Sequence, residues 1–159
     1  MASINSDLVA NLEASPQVAN KAQELQGVVR IAQGNVALAA ADSTNGDSVM
    51  LAPIPSNASI MSIRVGSDGL GGSCTYDIGI YTDARGVKDI DFFATSVADG
   101  AAMAELRYEA ADLNTTGQQL YTMAGDTTDP GGFYYIAATF DATGGTGGDM
   151  AFIIEYVVN

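Results

Sequence analysis

Histidine and tryptophan are absent from the 159 residues, and cysteine occurs once. Without histidine the chain lacks the commonest general base, the commonest transition-metal ligand and every triad that contains an imidazole. Cys74 therefore has no histidine partner to lower its thiol pKa, which favours a small buried strand residue over a nucleophile. A single cysteine also excludes an intramolecular disulfide, so the fold must depend on packing. These absences predict a protein that is not an enzyme and that uses no cofactor.

Positive charge is also scarce, because 6 Lys and Arg stand against 19 Asp and Glu, a formal net charge of -13 at pH 7. Such a chain repels nucleic acid and anionic membranes. Residues 1–20 lack the basic segment and the apolar run of a signal peptide. No apolar stretch of 18 residues suggests a membrane span. We therefore expect no nucleic-acid partner, no membrane partner and assembly inside a cell.

Carboxylates are the remaining candidates for chemistry. Paired carboxylates hydrolyse glycosides without histidine, but such sites usually add aromatic platforms, and this chain has no Trp. The acids available to such a site are Asp89, Asp91, Glu105 and Glu109. Asp126 and Asp129 lie in a turn-rich stretch and offer oxygen ligands of the kind that calcium prefers. Acidic residues are ordinary turn formers, however, so the sequence favours a structural role for both groups and predicts no catalytic residue.

The first 26 residues differ in pattern from the rest. Leu8, Leu12 and Val18 are spaced irregularly among polar residues, and Ser15-Pro16 interrupts the segment. One helical turn after Asp7 and another after Pro16 are compatible with their capping preferences, but neither turn is stable alone. We interpret residues 1–26 as an N-terminal arm and residues 27–159 as a single β-sandwich domain.

From Gly27 onward, short apolar runs rich in β-branched residues alternate with clusters of Gly, Asp, Asn, Thr and Ser, as in antiparallel sheets. The runs are VVRIAQGNVAL, SVMLAPI, ASIMSIRVG, CTYDIGIYT, DIDFFATSV, QQLYTMAG, GFYYIAATF and DMAFIIEYVV. They predict an all-β fold, an antiparallel β-sandwich or jelly roll of about eight strands. An up-and-down barrel is the alternative. The stretch Ala101–Leu113 contains strong helix formers, and either a short helix there or a strand from Glu105 to Ala110 is compatible with it.

Side-chain alternation predicts which faces are buried. One apolar set is Met61, Ile63 and Val65, and a second is Tyr76, Ile78 and Ile80. Each should face the core, because successive side chains of a strand point to opposite sides. The last two runs are apolar on both faces, and we expect them to be central or interface strands.

Tyrosine is the most frequent aromatic residue, with 7 copies. Tyr134, Tyr135 and Tyr156 are candidates for a subunit interface, where tyrosine contributes large apolar area and keeps its hydroxyl hydrogen-bonded. Stacking against a sugar is the alternative use of such residues.

Four segments carry a resemblance to a known group of proteins. They are PIPSNASIMSI at 53–63, the glycine-rich hairpin SDGLGGS at 67–73, YDIGIYTD at 76–83 and AFIIEYVVN at 151–159. Together they resemble the strand and turn pattern of small structural proteins from tailed-bacteriophage virions, most closely capsid decoration or cement proteins. The resemblance runs from about residue 44 to the C-terminus, and the N-terminal arm departs from it.

The resemblance implies a non-enzymatic virion subunit that assembles in the host cytoplasm and stabilises the outer surface of a phage head. Its expected partners are the major capsid protein and other copies of itself in a homotrimer. Within the arm, Leu8, Leu12 and Val18 are the expected capsid contacts, through apolar anchoring or strand addition. A tail or baseplate component and a carbohydrate-binding host-attachment module are the alternatives.

Overall fold

The computed structural model describes residues 9–11, 14–19, 27–100, 102–110 and 113–158. Leu8 and Leu12 of the predicted arm lie outside the described residues. None of the described helices has the length and apolarity that a membrane crossing requires.

Eight strands lie among the described residues. They are β1 (Val29–Leu38), β2 (Ser48–Pro55), β3 (Ala58–Asp68), β4 (Thr75–Tyr81), β5 (Val87–Ala98), β6 (Ala104–Glu105), β7 (Phe133–Ala142) and β8 (Gly148–Val158). Between residues 27 and 158, the described part of the chain has one helical turn, α1 (Leu120–Met123), and two 3₁₀ turns, Ala40–Asp42 and Leu113–Thr115.

The strands form two antiparallel four-stranded sheets. Sheet A has the order β1-β8-β3-β6, and sheet B has the order β2-β7-β4-β5. The first strand therefore pairs with the eighth, the second with the seventh, the third with the sixth and the fourth with the fifth. A long hairpin rolled upon itself produces this pairing, which is the jelly-roll arrangement. The predicted all-β sandwich is confirmed, and its two apolar runs with no polar face, β7 and β8, are central strands.

The core lies between the sheets. Both contribute fully buried side chains, and those with no exposed surface include Ile54, Ile63, Val65, Tyr76, Ile78, Ile80, Phe93, Ile136, Met150 and Ile154. The predicted apolar face of Tyr76, Ile78 and Ile80 is thus confirmed.

The second predicted face, in β3, is partly wrong. The pairing of β3 with β8 shifts between Ile60 and Ser62, so Met61 is an extra residue in a β-bulge. Ile60 is consequently buried, whereas 46% of Met61 is exposed. Alternation resumes beyond the bulge, where Ile63 and Val65 face the core as expected.

Two further expectations differ from the structure. The run Gln118–Gly125 is not a strand: Leu120 and Met123, three residues apart, are both buried from α1, as helical spacing allows. In the stretch Ala101–Leu113 neither a helix nor a strand to Ala110 is present among the described residues. The strand there ends at Glu105, and the chain then turns so that Leu106 and Arg107 enter the interior.

Candidate interaction surfaces

The three tyrosines predicted to lie at a subunit interface occupy different places. Tyr134 is buried and points inward from β7, whereas its neighbour Tyr135 is half-buried on the outer face of sheet B. Tyr135 contacts the ring of Phe133 edge-on, with centroids 5.2 Å apart. Tyr156 lies in the other sheet and packs against the core. Of the three, only Tyr135 therefore offers its ring to an outer surface.

A groove of about 290 Å³ lies beside this aromatic pair, bordered by Thr82, Lys88, Asp126 and Phe133 among others. Lys88 donates to Asp126 Oδ1 at 2.7 Å, and the Tyr134 hydroxyl donates to Asp126 Oδ2. The hydrogen bonds from Lys88 and Tyr134 hold the pKa of Asp126 below its usual value. Burial and then the bond to Asp126 raise the pKa of Tyr134.

Of the two calcium candidates, Asp126 borders this groove and Asp129 does not, and the surroundings of neither favour a cation. The Asp126 carboxylate already faces an ammonium group, and Asp129 Oδ1 accepts a hydrogen bond from the Gly131 amide at 2.9 Å. Across the described residues, no group of three or more acidic, His or Cys side chains is placed to hold a metal ion. Asp129 here has the ordinary role of an aspartate that stabilises a turn.

Hydroxyl groups bond to one another on the outer face of sheet B. The Tyr81 hydroxyl lies 2.6 Å from Thr139 Oγ1 and 2.9 Å from Ser48 Oγ. Tyr81 pairs with Tyr135 in the sheet, so its ring must extend along the face past Ala137 to reach Thr139. Ala137 has no exposed surface, and its small side chain leaves room for that ring.

A second polar group lies on the same face. The Ser96 amide donates to Asp77 Oδ1 at 2.8 Å, and the hydroxyls of Ser96 and Thr75 donate to Asp141. Burial raises the pKa of Asp77, although the hydrogen bond from Ser96 opposes that shift. Burial acts to raise the pKa of Asp141, but hydrogen bonds from Thr75, from Ser96 and from backbone amides together lower it. The hydrogen bonds of Ser96 to Asp77 and Asp141 hold the C-terminal part of β5 against the neighbouring strands.

Three of the other acids considered as catalytic candidates accept hydrogen bonds from backbone amides. Glu105 Oε1 accepts hydrogen bonds from the amides of Ile63 and Arg107, and Glu109 Oε2 accepts one from Thr95. Asp89 Oδ1 accepts a hydrogen bond from the Asp91 amide. Carboxylates in such positions stabilise strand ends and turns.

Cys74 is buried, with 2% of its surface exposed. Burial, followed by the charges of Asp99 and Asp141, raises the pKa of its thiol. A raised thiol pKa disfavours the reactive thiolate, which agrees with the structural role predicted from the sequence.

Sequence reasoning missed Arg107, which has no exposed surface. Its guanidinium donates to the carbonyl oxygens of Ile60 and Thr115 and to Thr115 Oγ1. It also lies over the rings of Phe93, at 5.2 Å, and Tyr108, at 4.5 Å. A lone arginine among helix-forming residues gives no sequence signal for burial, because the partners that satisfy it come from distant segments.

The residues around Arg107 close one side of the sandwich. The Leu106 amide donates to the Ile63 carbonyl of sheet A, and the Ala110 amide donates to the Phe93 carbonyl of sheet B. The segment 106–110 therefore joins the two sheets along the β3 and β5 edges.

In the described part of the chain, the opposite side of the sandwich is open along β1. Nearly every residue from 29 to 37 is exposed, including Val29 at 52% and Ile31 at 59%. Within the described chain, β1 bonds only to β8. The other margin of β1 is thus a row of backbone groups available to another chain.

Structural comparison gives two informative neighbours, both solved as parts of phage capsids. A chain of the cyanophage Pam1 capsid asymmetric unit superposes with a TM-score of 0.54 at 14% sequence identity, and the match covers 100% of both chains. A chain of the capsid of Ralstonia phage GP4 superposes with a TM-score of 0.50 at 20% identity, over 84% of this chain and 86% of that one. The shared feature is the fold. No protein-family model and no curated protein matches the chain by sequence.

Proposed function

We propose that this protein is a decoration, or cement, subunit that binds and stabilises the outer surface of a tailed-phage head. The observation that carries the proposal is the similarity of its jelly roll, over its whole length, to a chain of the Pam1 capsid asymmetric unit. The sequence resemblance to phage decoration proteins points independently in the same direction.

Charge favours the outside of the head. A subunit with a net charge of -13 is repelled by packaged DNA. The same charge keeps the protein soluble before assembly. The outer surface of the head, in contact with the major capsid protein, is therefore the location that we infer.

A structural role also agrees with how the chain uses its polar groups. The buried arginine, the capping carboxylates and the hydroxyl pairs on sheet B all bond within the fold. We infer that the protein acts through binding and assembly, without catalysis.

The N-terminal arm is the proposed docking segment. Val18 is 50% exposed and Val9 is 39% exposed, so both are available to a partner. Leu8, Leu12 and Val18 remain the proposed capsid anchors. In a homotrimer, three such arms would sum several weak contacts into stable binding by avidity.

The proposal is tested by adding purified protein to heads that lack it and measuring co-sedimentation. We expect saturable binding by the full chain. Replacing the three anchors by serine (Leu8→Ser, Leu12→Ser and Val18→Ser together) should weaken it at least about tenfold, because several contacts are lost from each arm.

Met61→Ser is the matched control, since Met61 is exposed but lies outside the arm. No binding by the full chain would contradict the decoration role. Equal binding by the anchor variant and the control would contradict the role of the arm.

The groove beside Phe133 and Tyr135 favours a second candidate, a carbohydrate-binding attachment module. An aromatic pair next to Lys88 and Asp126 resembles the mixed apolar and polar lining of ligand sites. A glycan screen with the full chain and with Phe133→Ser separates the two functions. Only an attachment module would bind a glycan and lose that binding when the Phe133 ring is removed.

A further inference from the structure

The four sheet margins of this jelly roll are not equally protected against pairing with another chain. Natural sheets blunt their edges with prolines, charges, bulges, very short strands or a covering segment. Three of the margins carry such features.

β2, at one margin of sheet B, contains Pro53 and Pro55, which lack amide protons, and a bulge near Leu51. β5, at the other margin, carries Lys88, Asp89 and Asp91. It also departs from regular pairing at several points along β4. In sheet A, β6 has only two residues and is followed by the segment 106–110, which joins the sheets.

Apart from the single charge of Arg30, β1 has none of these features among the described residues. Its ten residues pair with β8 without a register shift. It contains no proline and no acid, and its single charge is Arg30. Val29 and Ile31 are more than half exposed on its outer face. A long, regular and partly apolar margin of this kind is a template for an added strand.

We propose that β1 receives an extended segment of the phage shell, which adds to sheet A as a fifth strand. This inference rests on the proposed function and names the surface that the shell contacts. The segment expected there has alternating apolar side chains that meet Val29 and Ile31, and a carboxylate that meets Arg30.

Charge favours a shell segment over a second copy of this chain. Two copies paired through β1 would bring together two molecules that each carry a net charge of -13, with only one arginine per strand between them. They would also bring the two arginine-bearing strands side by side, where neither strand offers a carboxylate. A segment with its own acid satisfies Arg30 without that repulsion.

Hydrogen exchange measured by mass spectrometry tests the proposal, with the free protein and with the protein bound to heads that lack it. In the free protein, peptides from residues 29–38 should exchange at a rate that does not change with protein concentration. On heads, the outward amides of β1 should exchange at least about tenfold more slowly, because each gains a backbone hydrogen bond.

A pair of variants supplies the second readout. Ile31→Asp places an acid on the open margin and should weaken head binding at least about tenfold, because an unpaired carboxylate would lie against the apolar side chain expected there. Val87→Asp makes the same change on the blunted margin at β5, and it should bind like the unsubstituted protein. The two side chains are matched, since Ile31 is 59% exposed and Val87 is 60% exposed.

Head binding with unchanged exchange in β1, or with equal affinity for the two variants, would overturn this inference and leave the decoration role intact. Protection of β1 that grows with concentration in the free protein would assign the margin to a second copy and overturn the shell segment. Failure of the unsubstituted protein to bind heads would overturn both proposals.

Discussion

Arg107 links segments of the fold that are far apart in the sequence. It has no exposed surface, and its guanidinium bonds to β3 at Ile60 and to the 3₁₀ turn at Thr115. It also packs against the ring of Phe93 in sheet B. Removing it takes hydrogen bonds to a charged donor away from the Ile60 carbonyl and from Thr115, and losing such bonds in the interior is costly.

Arg107→Ala should therefore lower the free energy of unfolding by about 3 kcal/mol or more, from lost hydrogen bonds and a new cavity. Arg64→Ala is the control. Arg64 forms a partly exposed ion pair with Glu155 at 2.8 Å, and such pairs contribute about 1 kcal/mol or less. Urea denaturation of both variants measures the difference, and similar losses would argue against a structural role for Arg107.

Asp77 gives a prediction about pH. Its pKa is raised in the folded state by burial, so the native protein binds this proton more tightly than the unfolded chain does. The group therefore opposes folding at pH 7, and that cost disappears as the pH falls through its folded pKa toward the ordinary carboxyl range.

Asp77→Asn keeps an oxygen for the Ser96 amide but cannot ionise. The variant should be more stable than the unsubstituted protein at pH 7, by about 1 kcal/mol or less. The difference should shrink as the pH falls toward about 4. Calorimetry across this range is the measurement, and a variant that is less stable at pH 7 would show that the fold needs the charge.

Among the elements, β5 departs most from a regular strand. Ala94 pairs with Ile78, and Asp89 pairs with Ile80. Five residues of β5 therefore span the same length as two residues of β4, and the extra residues of β5 lie close to Gly79. A Cβ atom on Gly79 would lie 2.1 Å from the Asp89 carbonyl oxygen. Only glycine fits there, because the obstructing atoms belong to the backbone.

Gly79→Ala should displace this part of β5 and destabilise the domain by about 2 kcal/mol or more, as overpacking of a rigid site does. Gly86→Ala is the control, since its nearest obstacle is the Thr82 side-chain hydroxyl at 3.2 Å. Thermal unfolding should separate the two variants clearly. Equal melting temperatures would mean that the β5 backbone near Gly79 can shift to accommodate a methyl group at little cost in stability.

The elements also show what local sequence can predict. Seven of the eight predicted runs are strands, because alternating β-branched residues bounded by glycine turns specify strands locally. The bulge at Met61 and the helical turn at Leu120–Met123 were not predictable in this way. Both depend on packing against residues that are distant in the sequence, and local sequence carries no information about such packing.

The surfaces were harder to predict than the strands. The tyrosines of β7 were predicted as a common interface, but adjacent residues of a strand face opposite sides, so Tyr134 points inward and Tyr135 outward. The open margin of β1 is invisible in the sequence, since strand order decides which strand lies at an edge. Once the order is known, the absence of proline, acid and bulge in β1 becomes informative.

For the whole molecule, the fold and the net charge together lead to the proposed role. Among the described residues the jelly roll leaves its β1 margin open, and with the proposed arm it would have two surfaces suited to a neighbour. Its net charge of -13 directs it away from DNA. A trimer of such subunits would present three arms and three β1 margins to one patch of shell. Those six contacts would reinforce one another without any single strong site.

The central claim is that this chain decorates the outside of a phage head. Heads that lack the protein, incubated with the purified full chain and reconstructed by electron cryo-microscopy, test it most directly. The account predicts added density on the outer surface at threefold positions, into which three copies of the jelly roll fit with their N-terminal segments directed toward the shell. Added density on the tail or the inner face of the shell, or none anywhere, would contradict it.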